Sequence, residues 1–201
     1  MADIILATRN LHKTREFQRL LSPEFTVRDL SAAPLVSPSS ETGITFEENA
    51  VLKAIGVSRQ MSGLVAADDS GLEVDALAGA PGIYSARYAG ENATDQQNID
   101  KLLHELRKRQ SVRDSRSARF RCVIALARDG KFLGTFSGVV EGKIVDPPRG
   151  CSGFGYDPVF QPDGFKLTFG EMKEEVKNAI SHRARAAAQL REFLRSAPLT
   201  A

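Results

Sequence analysis

Residues 65–90 read "VAADDSGLEVDALAGAPGIYSARYAG". The apolar run Leu64–Ala67 has the composition of a short buried strand, and two adjacent acids, Asp68 and Asp69, stand just beyond its carboxyl end. Like charges side by side near a core are costly, so the pair calls for a counter-ion, a shared proton or full solvation. Open α/β sheets bind ligands at the carboxyl ends of their strands. Carboxylate oxygens there suit a hard cation, and Mg2+ takes only one or two protein carboxylates beside waters and phosphate oxygens. A third carboxylate is on hand at Glu41. The plainer alternative is an Asp that caps a turn in "DDSG". It weighs most on Asp68, because neighbours in extended chain point opposite ways. Asp69 is the stronger functional candidate.

Working outward, Ile4–Ala7 is another continuous apolar run, followed by "TRN" and then Phe17, Leu20 and Leu21 at helical spacing: strand, loop, helix. Ser31–Gly43 is rich in Pro and Ser and reads as a mobile loop. Thr45 and Glu48 form a capping box ahead of Val51, Leu52, Ala54 and Ile55, so a second helix begins near Phe46. Thr94 and Gln97 form another, and Ile99, Leu102, Leu103 and Leu106 make the clearest helical stripe in the chain. Phe120, Cys122, Ile124 and Leu126 alternate with their neighbours up to the turn dipeptide Asp129-Gly130, a hairpin signal, with a further turn expected at Glu141-Gly142. A last helix runs from about His182 with Ala186, Leu190, Phe193 and Leu194 as its stripe. Strand-helix alternation followed by hairpins argues for a mixed sheet with helices packed on it.

At 201 residues the chain suits one substantial core, or one domain with two lobes. The formal charge is +2, so any anion site must come from local placement of Lys and Arg. Cys122 and Cys151 fit neither a metal spacing nor a disulfide framework, which points to a reducing compartment. There is no secretory leader pattern, and no apolar stretch reaches the roughly 20 residues a bilayer span needs. The expectation is a cytoplasmic protein.

In "ATRNLHKTREF", Thr8, Arg9, Asn10, Leu11, His12 and Lys13 lie between a strand and the first turn of its helix. Lys13 and Arg15 oppose the helix dipole there, a conflict that a bound anion removes. Backbone N–H groups, a hydroxyl, an amide and a Lys are the ingredients of a phosphate cradle; a solvated basic helix face is the alternative. There is no Walker loop. "SGFGYDP" lacks the continuation of a dinucleotide fingerprint, and D-D is not the D-x-D of haloacid-dehalogenase-like phosphatases. The "SGFGYDP" bend presents Phe154, Gly155, Tyr156 and Asp157, a place for a flat base to stack or simply aromatic core filler. "KNAISHRARA" supplies Lys177, Ser181, His182 and Arg183, with Ser181 as a candidate N-cap. Arg113, Arg116, Arg119 and Arg121 are read as a solvated face or a dimer rim, in preference to a nucleic-acid surface.

Together the blocks "ILATRNLHKTREF", "ETGITFEENAVLKA", "ADDSGLEVDALAGAPGIYSARYAG", "SGFGYDP" and "ISHRARA" resemble the inosine triphosphate pyrophosphatase family from Ile4 to about Leu194. The resemblance implies an α/β, elongated two-lobed fold around a long curved mixed sheet, with the active-site cleft between the lobes. It implies a single domain over 1–195, and the tail 196–201, "SAPLTA", is expected to fray. It also implies a homodimer that hydrolyses dITP, ITP and XTP to the monophosphate and pyrophosphate with Mg2+; neither nucleic acid nor membrane is expected as a partner. Carried over by motif, Thr8 to Lys13 hold phosphates, Asp69 is proton acceptor and metal ligand, and Ser70 touches substrate. Glu41 and Lys53 assist metal and phosphate, while Phe154, Gly155, Tyr156, Asp157, Lys177, His182 and Arg183 hold base and sugar. Two departures from the family pattern stand out: Arg9 beside the phosphate loop, and Ser40 where a second acid often precedes Glu41.

Overall fold

The computed structural model describes residues 2–37, 42–109 and 116–196. The protein is mixed α/β. Its strands are β1 (Ala2–Leu6), β2 (Phe25–Asp29), β3 (Leu64–Val74), β4 (Ser117–Arg128), β5 (Lys131–Ile144) and β6 (Phe160–Pro162), in the sheet order β2-β1-β3-β4-β5-β6. The helices are α1 (Leu11–Leu21), α2 (Phe46–Ser58), α3 (Asp95–Lys108), α4 (Glu174–Ile180) and α5 (His182–Ser196). β1 pairs in parallel with both β2 and β3, and β6 returns antiparallel to β5. β4 and β5 are joined through Asp129 and Gly130, both at positive φ (50° and 76°), the two-residue turn that a twisted hairpin favours.

The chain divides into two compact units, and each has its own core. The first comprises Met1–Asp69, Cys122–Gly138 and His182–Ala201. Here both faces of the sheet are covered. Leu64 and Ala66 of β3 join Ile4, Leu6, Cys122, Ile124 and Leu126 against Phe17 and Leu21 of α1 and Ala186, Leu190 and Leu194 of α5. Val65, one residue out of phase, lies in a separate cluster with Val57 of α2, Leu30 and Val36. The period of two along an extended chain sends alternate residues to α1 and α5 on one side and to α2 on the other. Gly138 is needed where α5 starts, because a Cβ there would stand 2.1 Å from the carbonyl oxygen of His182.

The second unit comprises Ser70–Arg121 and Val139–Ser181. The α3 stripe Ile99, Leu102, Leu103 and Leu106 packs with Leu72, Val74, Phe120, Val140, Ile144, Phe160 and Phe169. Thr94 caps α3 with the full reciprocal box to Gln97, as the sequence implies. Arg116, Arg119 and Arg121 all have acids within reach: Asp146 at 3.8 Å, Asp75 at 2.9 Å with Glu141 at 3.0 Å, and Glu73 at 4.0 Å. They form a surface of mixed charge, as a solvated face should; Arg113 lies outside the described residues.

Several local expectations are corrected. Asp68 and Asp69 do not follow a four-residue strand; they lie inside an eleven-residue one, so the "DDSG" turn does not exist. No turn forms at Glu141-Gly142 either, since β5 runs through it. The glycine serves close approach instead, for its missing Cβ would lie 2.4 Å from the Gln161 carbonyl oxygen of β6. Alternation in β4 ends at Cys122, beyond which every residue to Ala127 is buried. At α2 only half the capping box is made: Thr45 accepts from the Glu48 N–H, while the Glu48 carboxylate turns to the Ile44 N–H. The Pro and Ser segment opens with a 3-10 turn, Leu30–Ala32. Ser181 keeps the position of an N-cap, directly before His182 of α5, while its backbone N–H closes α4 on the Lys177 carbonyl.

Candidate active site

In the first unit the two acids are separated by the alternation of β3. The Asp68 carboxylate accepts from Lys13 Nζ of α1 at 2.9 and 3.0 Å, and Arg183 Nε of α5 stands 3.8 Å away. Asp69 accepts from Lys53 Nζ of α2 at 2.8 Å on Oδ1 and from Asn49 Nδ2 at 3.4 Å on Oδ2. Each acid therefore has its own lysine, supplied from its own side of the sheet. Burial alone pushes the Asp68 carboxyl upward, but Lys13, Arg183 and Lys53 outweigh it and hold the group well below the usual carboxylate range. Arg183 is itself buried and donates from Nη1 to Glu16 Oε2 at 2.9 Å, so α1 supplies both a cation and an anion to this network.

The β1–α1 junction differs from a cradle of open amides. Asn10 is the N-cap of α1, and its Oδ1 accepts from the N–H groups of His12 and Lys13 at 2.9 and 3.3 Å. Thr8 Oγ1 accepts from the Asn10 N–H. The charge this segment brings to Asp68 is that of Lys13. Arg9 does not crowd it: its Nη2 donates to the carbonyls of Ala33, Pro34 and Val36 at 3.1 to 3.4 Å. Leu11 and His12 are exposed on the first turn. His182 and Arg183 are the first two residues of α5, both buried.

In the second unit the "SGFGYDP" bend is held from three directions. Asp157 Oδ2 accepts from the Phe154 N–H at 2.9 Å and from Lys177 Nζ of α4 at 2.7 Å, a pair nearly sealed from solvent. Asp95 of α3 accepts from the Gly155 N–H at 2.6 Å. A Cβ at Gly153 would lie 2.0 Å from Asp157 Oδ2, so only glycine lets the bend close. Lys177 Nζ is 5.1 Å from the Phe154 ring centroid, with that ring half-buried. Tyr156 takes the core-filling role: it is buried, burial raises its phenol, and its hydroxyl donates to the Ser85 carbonyl. Ser70 follows Asp69 on β3 and is half-buried.

Asn49, Glu16 and Asp95 are the site-forming residues that motif reading passes over. A signal exists for Asn49: Phe46, Ala50, Ala54 and Val57 mark the buried stripe of α2, and a polar residue within that stripe demands a partner. No cluster of three or more His, Cys, Asp or Glu side chains suited to a metal occurs among the described residues, and Glu41 lies outside them. Asp69 by itself still matches the modest demand of Mg2+ for one or two carboxylates, with water and phosphate oxygens completing its shell.

The sequence model of the Ham1 family matches residues 4–193. A dITP/XTP pyrophosphatase of Bacillus licheniformis is 47% identical over 195 residues, covering 96% of this chain and 98% of that one. A dITP/XTP pyrophosphatase of Bacillus subtilis is 45% identical with the same coverage. Among solved structures, a HAM1 protein from Coxiella burnetii superposes with a TM-score of 0.86 at 44% identity over 98% of this chain and 100% of that one. The Ham1 protein of Staphylococcus aureus gives 0.84 at 42% identity over 96% and 98%.

Proposed function

The chain belongs to the Ham1 family, and from that membership and the geometry of the first unit we propose that it is a nucleoside triphosphate pyrophosphatase. It hydrolyses the non-standard purine nucleotides dITP, ITP and XTP to the nucleoside monophosphate and pyrophosphate, and so removes them from the nucleotide pool. The observation that carries the reading at the level of chemistry is the pair of lysine–aspartate contacts on opposite faces of β3. Lys53 with Asp69 is the partner set closest to chemistry, since both side chains keep about a tenth of their surface exposed, 13% and 11%.

Asp69, held on one oxygen by Lys53 and on the other by Asn49, orients and deprotonates the water that attacks the α-phosphorus in line. Lys13 and Lys53 stabilise the charge that gathers on the departing pyrophosphate, and no covalent enzyme intermediate is required. Asp69, with Glu41 as a further candidate ligand, would hold Mg2+, which would supply neutralisation of phosphate charge. Hypoxanthine and xanthine carry a 6-oxo acceptor where adenine has an amino donor, and the donors of His182 and Arg183 suit the former. A site that leaves buried donors unpaired against the wrong base discriminates strongly. Contacts of Ser70, Phe154, Asp157 and Lys177 with base or sugar are proposed on the family pattern, as are a homodimeric assembly and a cytoplasmic location. None of the described helices is long and apolar enough to cross a membrane.

Pyrophosphate release from dITP, XTP, dGTP and dATP, with and without Mg2+, tests the reading with Asp69→Asn beside the wild type. Metal-dependent turnover of dITP and XTP alone, lost in the variant, is the expected result. Binding of dITP without any release overturns the hydrolase and leaves a nucleotide sensor.

A further inference from the structure

Asn49 is among the most deeply buried polar residues of the protein, 1% exposed at the end of the first turn of α2. A buried carboxamide left unpaired is costly. Its side chain is paired at both ends. Oδ1 accepts from the Gly43 N–H at 2.9 Å, and Nδ2 faces Asp69 Oδ2 at 3.4 Å. The orientation of the amide is set by chemistry: the Gly43 N–H can only donate, so the carbonyl end must meet it, and the donor end is left for the carboxylate.

Gly43 is fitted to this contact. A Cβ there would lie 2.8 Å from Asn49 Oδ1 and 2.6 Å from the Glu48 Cβ, so any larger residue at position 43 would push the amide aside. Lys53, one turn further along α2, holds the other oxygen of the same carboxylate at 2.8 Å. Asp69 is therefore gripped across its two oxygens by two side chains four residues apart on one helix, a spacing that places both on the same face. An ammonium on a flexible stem fixes charge but little orientation, whereas a planar amide clamped at its far end fixes the rotation of the carboxylate plane.

We propose that Asn49 is a positioning residue for the reaction: locked by the Gly43 backbone, it sets the orientation in which Asp69 meets the attacking water. The role rests on the hydrolase reading given above, in which Asp69 handles that water. It makes the segment at Gly43 part of the catalytic support although no atom of it acts on the substrate.

Asn49→Asp separates the two halves of the clamp. It keeps an acceptor for the Gly43 N–H and replaces the donor toward Asp69 by a second acceptor. Asn49→Ser, uncharged and smaller, is measured in parallel in case the added charge prevents folding. With full-length protein and dITP, kcat is expected to fall about 100-fold, the scale set by misplacing a reacting group by about 1 Å. KM should stay within about twofold, because binding contacts are untouched. Melting temperatures recorded alongside identify any variant that has simply lost its fold. A role in stability alone would lower the melting temperature and leave kcat of the folded fraction unchanged, which overturns the proposal. So does a loss confined to KM. A wild type inert on dITP sinks the hydrolase reading and the positioning role with it, whereas an active wild type with unimpaired Asn49 variants sinks the positioning role alone.

Discussion

Asp68 and Asp69 follow each other in the chain yet never share a face of β3, so each meets a different helix and a different lysine. Two unlike roles follow. The Asp68 side chain is 1% exposed, and its charge is tolerated because Lys13 and Arg183 surround it. Removing one partner of a buried pair costs more than the pair contributes, since a charge is left behind without compensation. Lys13→Met is accordingly expected to lower unfolding free energy by about 3 kcal/mol, the low end for such pairs because Arg183 remains. Adding Asp68→Asn to that variant should restore at least half of the loss in urea titrations. Equal losses in the single and the double variant would show that Asp68 is not held by Lys13. Asp69 and Lys13 stand out in the sequence by residue type at the end of a strand and the start of a helix, whereas Lys53 enters only through the family resemblance. Asn49 and Glu16 were not legible in that way: their importance depends on which faces of β3, α2, α1 and α5 meet, and a linear pattern does not state it. At the start of α1, Asn10 reads in sequence as a donor-rich loop residue, whereas in the structure its Oδ1 accepts from the N–H groups of His12 and Lys13.

Among the elements, long helices with strong periodicity were read correctly and strand boundaries less so. The stripe and capping box of α3 leave one interpretation, and the structure has it. "DDSG" and "EG" look like turns by composition, yet both lie within strands; at Gly142 the glycine admits the neighbouring backbone of β6, which in sequence is indistinguishable from one that bends its own chain. β2, β6 and α4 are short enough that tertiary packing, more than local pattern, decides them. One tie between elements carries a pH signature. Arg107 in the last turn of α3 donates from Nε and Nη2 to both oxygens of Asp146, two residues beyond β5, at 2.9 and 2.8 Å. Those bonds, against some desolvation and with further help from the charges of Arg107 and Arg116, hold the Asp146 carboxyl below its ordinary value. A carboxyl lowered in the folded state resists a proton that the unfolded chain accepts, so its stabilisation is present above the unfolded value and fades as pH falls through the folded one. Asp146→Asn should therefore melt lower than wild type at neutral pH, with the gap closing below about pH 4. A gap that stays constant down to pH 3 would mean that the pairing does not stabilise α3 against β5.

At the scale of the whole molecule, neither compact unit is a continuous piece of chain. The backbone passes from one to the other at 69–70, 121–122, 138–139 and 181–182, and the first three of these passages fall inside β3, β4 and β5. Melting either unit alone would require three strands to be ordered over half their length and disordered over the rest, at the cost of ladder hydrogen bonds and of loops closed only by the other unit. Separate cores would on their own permit separate transitions; strand continuity argues against them. The chain offers a direct test because it has no Trp and only three Tyr. Tyr84, Tyr88 and Tyr156 all belong to the second unit, so tyrosine emission reports that unit, while far-UV circular dichroism reports α1, α2 and α5 of the first as well. Equilibrium urea unfolding followed by both signals should give coincident curves with one midpoint, the behaviour of a single cooperative transition. If circular dichroism falls at lower urea than tyrosine emission, the first unit, with Lys13, Lys53, Asp69 and Asn49, opens by itself. Bound nucleotide would then raise the earlier transition and not the later, because a ligand stabilises only the state that binds it.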